Sequence, residues 1–516
     1  MQLIMSYFNH IANKDIKPDS PQMKKIENVF KFGLISLIIL ISFNFKQGFS
    51  YISLPLEYLP KKNYKFLQTN DLSNKPEVVM KDLYYKRLIT YLNIGTPERS
   101  QMMLIDTNNN DFYFTSLNPP TISKGGFVMS QFYDFGENLF FNESESTSYI
   151  LEKCHEEGAD DHEEICLAKE KIKFNFGNYT KIEEFPIKVA KGENEPIPGV
   201  IGLSINDSMA YGLRSFLSEL KLTNLISDYY FFFDFEKFYP LNSIIKGNLI
   251  IGDLPHNILP EKYSKEDFVI VKKTSSSSLW THNMEKIQVE SKTKQDIQIS
   301  NTKLHTLYEF YNVIGTLEFI NQIKDLFLNK LMDENKCFRG KFSQNLFSYD
   351  DLNYFYCDIS VENILVDNLS GIKFYSKVFD YTFELTKDEL YYKKGKYIYL
   401  TILYFDHLYN NWIVGQMFTS KYHFVFNTDS REIGFYKKVN IAINNENDGH
   451  NLLNGGSPTK IWTIIISISF VLLGIGIFIG IFIGIKFLKK RRKKRAAELT
   501  EDEYDYTSKT EDNNIN

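Results

Sequence analysis

The chain has 516 residues and a formal net charge of -5; 43% of its residues are hydrophobic and 15% aromatic. This length suffices for two or three domains or for one large two-lobed β protein, and the apolar content suffices for a core. The nearly balanced charge gives no support for a nucleic-acid partner.

The first apolar segment, Phe32–Phe45, is too short to span a bilayer comfortably. It follows two lysines and leads into polar residues, which is typical of a secretory signal peptide. We expect cleavage near residues 48–51, with a signal anchor as the alternative. Translation then starts at Met1, or at Met23 if the signal has the usual length.

Residues 84–116 predict two strands joined by a turn at Gly95-Thr96-Pro97. Asp106 ends the apolar run Met102–Ile105, so this acid emerges from a buried strand into a turn. A fold can present a catalytic carboxylate from that position. The other interpretation is a hairpin in which the Asp caps its own turn.

Four cysteines fit an oxidising compartment, and sequence alone allows three pairings. Two neighbouring pairs stand out, Cys154 with Cys166 and Cys337 with Cys357. No CxxC motif occurs, so we predict neither a metal site nor a cofactor. Sequons predict glycosylation at four positions: Asn142, Asn178, Asn206 and Asn368.

The second apolar segment, Ile461–Ile485, has the length of a membrane-spanning helix. The basic run 489–495 follows it, which predicts a cytoplasmic C-terminus and a single-pass type I membrane protein. A nuclear localisation signal is the alternative for that run. Three glycines recur every fourth residue within the segment and predict a homodimer contact: Gly476, Gly480 and Gly484.

A set of motifs in family order resembles the pepsin-like aspartic proteases. The set comprises Ile94-Gly95-Thr96-Pro97, Asp106-Thr107, Gly199-Val200-Ile201-Gly202-Leu203, Gly247-Asn248-Leu249-Ile250-Ile251-Gly252, Trp280, Trp412-Ile413-Val414-Gly415-Gln416 and Ile433-Gly434-Phe435. The resemblance implies an all-β, bilobal fold with two β-barrel-like lobes around a central cleft, followed here by one transmembrane helix. Cys337 and Cys357 lie where that family has a disulfide in its second lobe.

The resemblance and the composition together divide the chain into seven parts. These are residues 1–50 (extension and signal peptide or anchor), 51–83 (pro-segment or N-terminal strand), 84–260 (N-terminal lobe), 261–443 (C-terminal lobe), 444–460 (linker), 461–485 (transmembrane helix) and 486–516 (cytoplasmic tail). Within the lobes, residues 213–222 and 316–331 have the clearest helical periodicity.

Family chemistry needs two facing carboxylates that share one proton, one from each lobe. Asp106 fills the first position, but no Asp-Thr-Gly or Asp-Ser-Gly occurs where the second is expected, near residues 307–309. Glu309 is the acid in that run. Asn108 replaces a family glycine, so its Cβ is expected to crowd the site. The residues assigned to the substrate cleft are Thr107, Asn108, Tyr308 and Glu309.

The flap hairpin of the family is expected between residues 148 and 169. Its usual Tyr and glycine-rich tip are missing, and an acidic loop closed by Cys154 and Cys166 takes their place. A flap that cannot fold over a peptide no longer excludes water or clamps a substrate. The acidic loop fits neither HExxH spacing nor an EF-hand, so a solvated hairpin tip is the simplest interpretation.

We therefore hypothesise a membrane-anchored pseudoprotease whose cleft binds a peptide or protein segment. The alternative is an active aspartic endopeptidase that uses Asp106 and a second acid not recognisable from sequence. A carboxylate within hydrogen-bonding reach of Asp106 favours the enzyme, and an apolar or aromatic wall over residues 307–311 favours the pseudoprotease. The expected location is the secretory or endolysosomal route or the cell surface, with the ectodomain lumenal or extracellular.

Overall fold

The structure is a computed structural model. It describes residues 51–59, 75–116, 140–157, 163–177, 179–191, 199–205, 214–237, 246–272, 280–291, 297–343, 351–407 and 410–439. Within these ranges, no helix is both long enough and apolar enough to cross a bilayer. Several predictions concern residues outside them: the signal segment, the linker, the transmembrane segment with its three glycines, the cytoplasmic tail, Asn178 and Asn206.

An eight-stranded sheet forms the N-terminal lobe. Its strands are β2 (Glu57–Tyr58), β3 (Leu88–Ile94), β4 (Arg99–Asp106), β5 (Phe112–Thr115), β6 (Ile150–Glu157), β7 (Glu163–Phe176), β8 (Tyr179–Lys191) and β9 (Gly199–Gly202). They pair in the order β2-β3-β4-β9-β5-β8-β7-β6. In β7, Ile172, Phe174 and Phe176 are buried and alternate with more exposed polar residues, so one face of the strand packs on the core.

An eleven-stranded sheet forms the C-terminal lobe. Its strands are β13 (Trp280–Glu290), β14 (Gln298–Thr306), β15 (Val313–Ile314), β16 (Cys337–Ser343), β17 (Asp351–Asp358), β18 (Gly371–Ser376), β19 (Tyr381–Thr386), β20 (Tyr391–Lys394), β21 (Tyr397–Leu400), β22 (Ile402–Phe405) and β23 (Asn411–Val414). The path runs β19-β18-β13-β14-β23-β15-β22-β17-β21-β20, with β16 paired to β17.

A six-stranded sheet joins the two lobes. Its strands are β1 (Ile52–Pro55), β10 (Tyr230–Lys237), β11 (Lys246–Ile251), β12 (Phe268–Lys272), β24 (Val425–Asn427) and β25 (Glu432–Tyr436), in the order β1-β11-β10-β24-β25-β12. Three strands come from the first half of the chain and three from the second, so the sheet cannot form until both halves are present. Next to it, the Trp280 indole N–H of the second lobe donates to the Leu203 carbonyl of the first, at 3.1 Å.

Short helices lie between the strands along the described part of the chain. They are α1 (Pro76–Tyr84), α2 (Phe216–Leu222), α3 (Pro255–Ile258), α4 (Leu317–Ile323), α5 (Asn329–Asp333), α6 (Glu362–Asn368), α7 (Lys387–Leu390) and α8 (Gln416–Tyr422), with a π-helical turn at Lys324–Leu328 and 3₁₀ turns at Glu143–Glu145, Lys265–Asp267 and Ile359–Val361. Ser215 and Thr316 cap α2 and α4 through their side-chain oxygens. Both segments predicted as helical from periodicity are therefore confirmed.

The leading segment, residues 51–59, forms strands. β1 pairs antiparallel with β11 and β2 with β3. Ile52, Leu54 and Leu56 are at most 3% exposed. Of the two alternatives drawn from sequence, the segment has the structure of an N-terminal strand, and its removal as a pro-segment stays a prediction.

Candidate active site

Asp106 is the last residue of β4. β4 runs parallel to β9, where Asp106 is paired with Gly202. Its Oδ1 accepts the backbone N–H groups of Asn108 at 2.8 Å and Asn109 at 3.0 Å. The carboxylate therefore caps its own turn, and it remains partly exposed.

An internal repeat identifies the position equivalent to Asp106 in the second lobe. In the first lobe, Ile201 of β9 pairs with Ile105 on one side and with Phe112 on the other. In the second lobe, Val414 of β23 pairs in the same way with Thr306 and Val313. The intervals Ile105–Phe112 and Thr306–Val313 are equally long, so the turns match residue by residue.

The glycines after the two central strands support this match. A Cβ on Gly202 would lie 2.5 to 2.6 Å from backbone atoms of the first turn, and one on Gly415 would lie 2.4 to 2.5 Å from carbonyl oxygens of the second. Each turn thus closes over a glycine that admits no side chain. By this register Leu307 is equivalent to Asp106, Tyr308 to Thr107, and Glu309 to Asn108.

Leu307 and Tyr308 give the second turn an apolar character. Leu307 is 3% exposed. The Tyr308 ring is buried and stacks on Phe233 with 3.9 Å between ring centroids. Tyr308, assigned from sequence to the substrate cleft, therefore has its ring in the core.

Glu309 brings a second carboxylate to the first turn from a position two residues further along. Its Oε1 accepts the Thr107 hydroxyl at 2.8 Å, the Asn108 N–H at 3.1 Å and the Thr107 N–H. The Asn108 N–H is shared, since it also donates to Asp106. The Tyr308 N–H donates to the Thr107 oxygen at 3.1 Å, so the two turns are bonded in both directions.

The environment of Glu309 keeps it protonated. The residue is 2% exposed, and its Oε2 is buried without a hydrogen-bond partner among the described residues. Burial, then the negative charge of Asp106 and a side-chain hydrogen bond with Asp106, raise the pKa of Glu309 to about 8, against the opposing effects of Arg87 and the Thr107 hydrogen bond. The carboxyl of Glu309 is therefore within hydrogen-bonding reach of Asp106. At neutral pH Glu309 therefore carries a proton.

Asn108 was expected to crowd the turn through its Cβ. Its φ is not positive, so the backbone conformation here does not itself require glycine. The crowding itself stays a prediction.

Two residues of the site were not recognised from sequence. Arg87, 8% exposed, donates through Nη1 to the Glu309 carbonyl at 2.9 Å. Gln416, fully buried at the start of α8, donates through Nε2 to the Lys86 carbonyl at 2.7 Å and the Tyr308 carbonyl at 2.8 Å. The sequence did contain a signal for Gln416. The family motif that Trp412–Gln416 resembles has an acid at the position of Gln416, and an ionised acid cannot donate a hydrogen bond.

Both expected disulfides are present. Cys154 is bonded to Cys166, and Cys337 to Cys357. The first joins β6 to β7 in the hairpin where sequence predicted the flap. Glu164 lies beside these two sulfur atoms, but the sulfurs are committed to each other and offer no thiolate to a metal.

The comparison with protein families supports what the turns and the shared sheet indicate. Residues 87–438 match the model of the eukaryotic aspartyl protease family. The chain belongs to the eukaryotic aspartyl protease family. A comparison with curated proteins finds no match. As an aspartyl protease homologue, the chain keeps the first-lobe Asp-Thr pair and has Leu307 at the equivalent second position.

Proposed function

We propose that this chain is a catalytically inert, membrane-anchored aspartyl protease homologue whose inter-lobe cleft binds a peptide or protein segment. One observation carries the proposal: Leu307 stands at the position equivalent to Asp106, and Glu309, the second acid, is committed to hydrogen bonds with the first turn.

The reaction of the family fails for a geometric reason. Two carboxylates must both reach one water molecule, so that one accepts its proton while the other protonates the substrate carbonyl. Asp106 is partly exposed and can contact a water. Glu309 lies beside Asp106 but offers no free oxygen to the same water, because Oε1 is surrounded by three donors and Oε2 is buried.

Glu309 instead serves as a tie between the lobes. Its side chain binds the first turn while Arg87 of the first lobe holds its carbonyl. Tyr84 adds a ring stacked on Phe310 at 5.3 Å. A cleft held by these contacts keeps its shape without turnover, and an extended peptide can bind there through backbone hydrogen bonds.

The active endopeptidase is kept as a second candidate because a second acid does lie beside Asp106. The two share the Asn108 N–H, and Glu309 holds a proton as the acid of a dyad would. For this candidate to hold, Glu309 must leave its three donors and turn toward the cleft when a substrate binds.

Cleavage of a mixed peptide library at acid pH separates the two candidates. The full-length protein in detergent is assayed with and without a statine-type transition-state inhibitor, beside the variants Asp106→Asn and Glu309→Gln. We expect no inhibitor-sensitive cleavage, with peptide binding retained in all three proteins. Inhibitor-sensitive cleavage that both variants lose would establish the enzyme.

The membrane anchor and the ectodomain orientation rest on the sequence alone. They predict that the protein stays with membranes after alkaline carbonate extraction and that N-glycosidase lowers its apparent mass. Asn142 and Asn368 are both at least partly exposed, as an acceptor must be. Release by carbonate, or no change in mass, would remove these parts of the proposal.

A further inference from the structure

β6 is held less firmly than the inner strands of the first sheet. It lies at the end of the strand order and bonds to β7 alone among the described strands. Ile150 and Leu151 are 51% and 50% exposed, so they contribute little burial energy. β7, in contrast, also pairs with β8 along its length and with β3.

Two anchors hold β6 at its ends. At the start, the Ser148 hydroxyl donates to Glu170 and its oxygen lies 2.8 Å from the Thr96 hydroxyl oxygen. Near the end lies the Cys154–Cys166 disulfide. Between them the register shifts, and the ion pair of Glu152 with Lys169 joins two side chains that are 42% and 44% exposed, so solvent screens it and it stabilises little.

The second disulfide differs in its surroundings. Cys337 and Cys357 are 2% and 3% exposed. Their strands β16 and β17 pair along their whole length, and β17 is further paired with β21 and β22. Cys154 is partly exposed while Cys166 is fully buried, so an incoming thiol meets Cys154 first.

We propose that Cys154–Cys166 is a thiol–disulfide exchange site for a dithiol reductant, and that its reduction releases β6 from β7. A thiolate of the dithiol attacks Sγ of Cys154; the disulfide breaks, and Sγ of Cys166 leaves and takes up a proton. The second thiol then attacks the mixed disulfide and frees Cys154. Two electrons pass to the protein, and the dithiol becomes a disulfide.

Glu164 controls the rate of this exchange. Its carboxylate and both sulfur atoms lie within 4.8 Å of one another. A negative charge at that distance repels the attacking thiolate and disfavours the departing one, because both are anions. Glu164 therefore protects the bond, and its neutralisation exposes the bond to reduction.

Release of β6 would change access to the cleft, a consequence that rests on the proposed function. This hairpin lies where the sequence predicts the flap over the cleft. Once β6 is free, it no longer keeps the β6–β7 hairpin in register. A peptide is then expected to enter and leave the proposed cleft faster. The exchange itself does not depend on this, because its chemistry is measured without any cleft ligand.

Graded reduction of the folded, full-length protein in detergent tests the site. Dithiothreitol treatment is followed by alkylation of free thiols and mass spectrometry of the labelled peptides. We expect Cys154 and Cys166 to be labelled at reductant concentrations at least about tenfold below those that label Cys337 and Cys357, which corresponds to about 30 mV. Labelling of both pairs together, or of the second pair first, overturns the proposal.

Two further measurements separate a specific site from general loosening. Glu164→Gln is expected to speed labelling of Cys154 several-fold, whereas Glu318→Gln, an exposed carboxylate on α4, leaves it unchanged. Hydrogen exchange after mild reduction is expected to rise at residues 150–157 and to stay low at 337–343. Equal rates in the two variants, or retained protection in β6, contradict the proposed control and release.

Discussion

The side chain of Glu309 does three things that a second-lobe Asp at position 307 would not. It places one oxygen among three donors of the first turn, it buries the other oxygen, and it holds a proton at neutral pH. Each property follows because the side chain of Glu309 starts two residues beyond Leu307, the position equivalent to Asp106. From there the carboxylate reaches the first turn and lies in the contact between the lobes.

Truncation of Glu309 is predicted to destabilise the protein. Glu309→Ala leaves the buried N–H and hydroxyl of Thr107 without an acceptor, at a cost of about 1–3 kcal/mol, whereas the Asn108 N–H keeps Asp106. Glu309→Gln keeps an oxygen at that place and is expected to stay within about 0.5 kcal/mol of the parent at pH 4.5, where the Glu309 contribution is still nearly complete. Denaturant unfolding at that pH measures both; equal losses in the two variants would contradict the role of the acceptor.

Moving the acid to its equivalent position is predicted to create activity. In Leu307→Asp/Glu309→Gly, the second carboxylate stands where the repeat places it, opposite Asp106. Because a positioned general acid or base contributes about 10²–10⁴-fold, cleavage at acid pH is expected to rise at least about 100-fold over the parent. The matched control is Leu307→Asn/Glu309→Gly, and equal cleavage by both variants would contradict the assignment of Leu307.

Sequence predicted the residues of the first turn and missed the geometry of the second. Asp106 was recognisable because an apolar strand, a turn and a family motif all coincide on it. Glu309 was noticed as an acid, but no local pattern specifies which way a side chain in an irregular turn points. Its three donors are about 200 positions away in the chain, and only pairing of β14 with β23 shows that Leu307 is the equivalent residue.

At the scale of elements, α8 positions the second turn. Its first residue, Gln416, joins the carbonyls of Lys86 and Tyr308, which belong to different lobes. The preceding Gly415 lets the turn carbonyls approach closely. The start of α8 therefore links the segment that precedes β3 to the turn that carries Glu309.

Replacement of the amide donor of Gln416 is predicted to weaken this link between the lobes and to lower the free energy of unfolding in a pH-dependent way. Gln416→Glu keeps the shape but, once ionised, can only accept, so two buried carbonyls face a charge. We expect a loss of about 1–3 kcal/mol or more at neutral pH that shrinks as pH falls and the acid regains its proton. Thermal melts at several pH values measure it, with Gln298→Glu, at an exposed position of β14, as the control. A loss independent of pH would contradict donation by the amide.

Elements were easier to predict than their connections. The period of residues 316–331 indicated a helix, and the structure has α4, a π-helical turn and α5 there. The same method could not show that β1 and β12 lie at opposite edges of one sheet, because strand order depends on long-range packing that has no local pattern.

At the scale of the whole molecule, buried titratable groups limit stability on both sides of neutrality. Burial lowers the pKa of His282 to about 3 and of His305 and His423 to about 4, from an ordinary 6.5. These groups bind fewer protons when folded, so stability falls as pH drops below 6.5. Glu309 binds its proton more tightly when folded, so its contribution is full below 4.5 and is lost as pH rises through about 8.

We therefore predict a bell-shaped dependence of the free energy of unfolding on pH, with an alkaline limb that Glu309 causes. Glu309→Gln should flatten that limb and leave the acid limb in place, since it removes the titration without removing the oxygen. Urea unfolding between pH 4 and 9 measures both limbs. An unchanged alkaline limb in the variant would assign the effect to another group.

The distribution of indole rings gives the molecule a built-in optical asymmetry. The chain has three tryptophans, at positions 280, 412 and 462, and Trp280 and Trp412 are fully buried in the second lobe. Residues 1–279 contain none. In a Trp462→Phe variant, emission excited at the red edge of the absorption band therefore reports the second lobe and its contact with the first, where Trp280 meets Leu203. If the sheet of the N-terminal lobe melted alone, that emission would change little. Circular dichroism of the tyrosines would be needed to detect this melting.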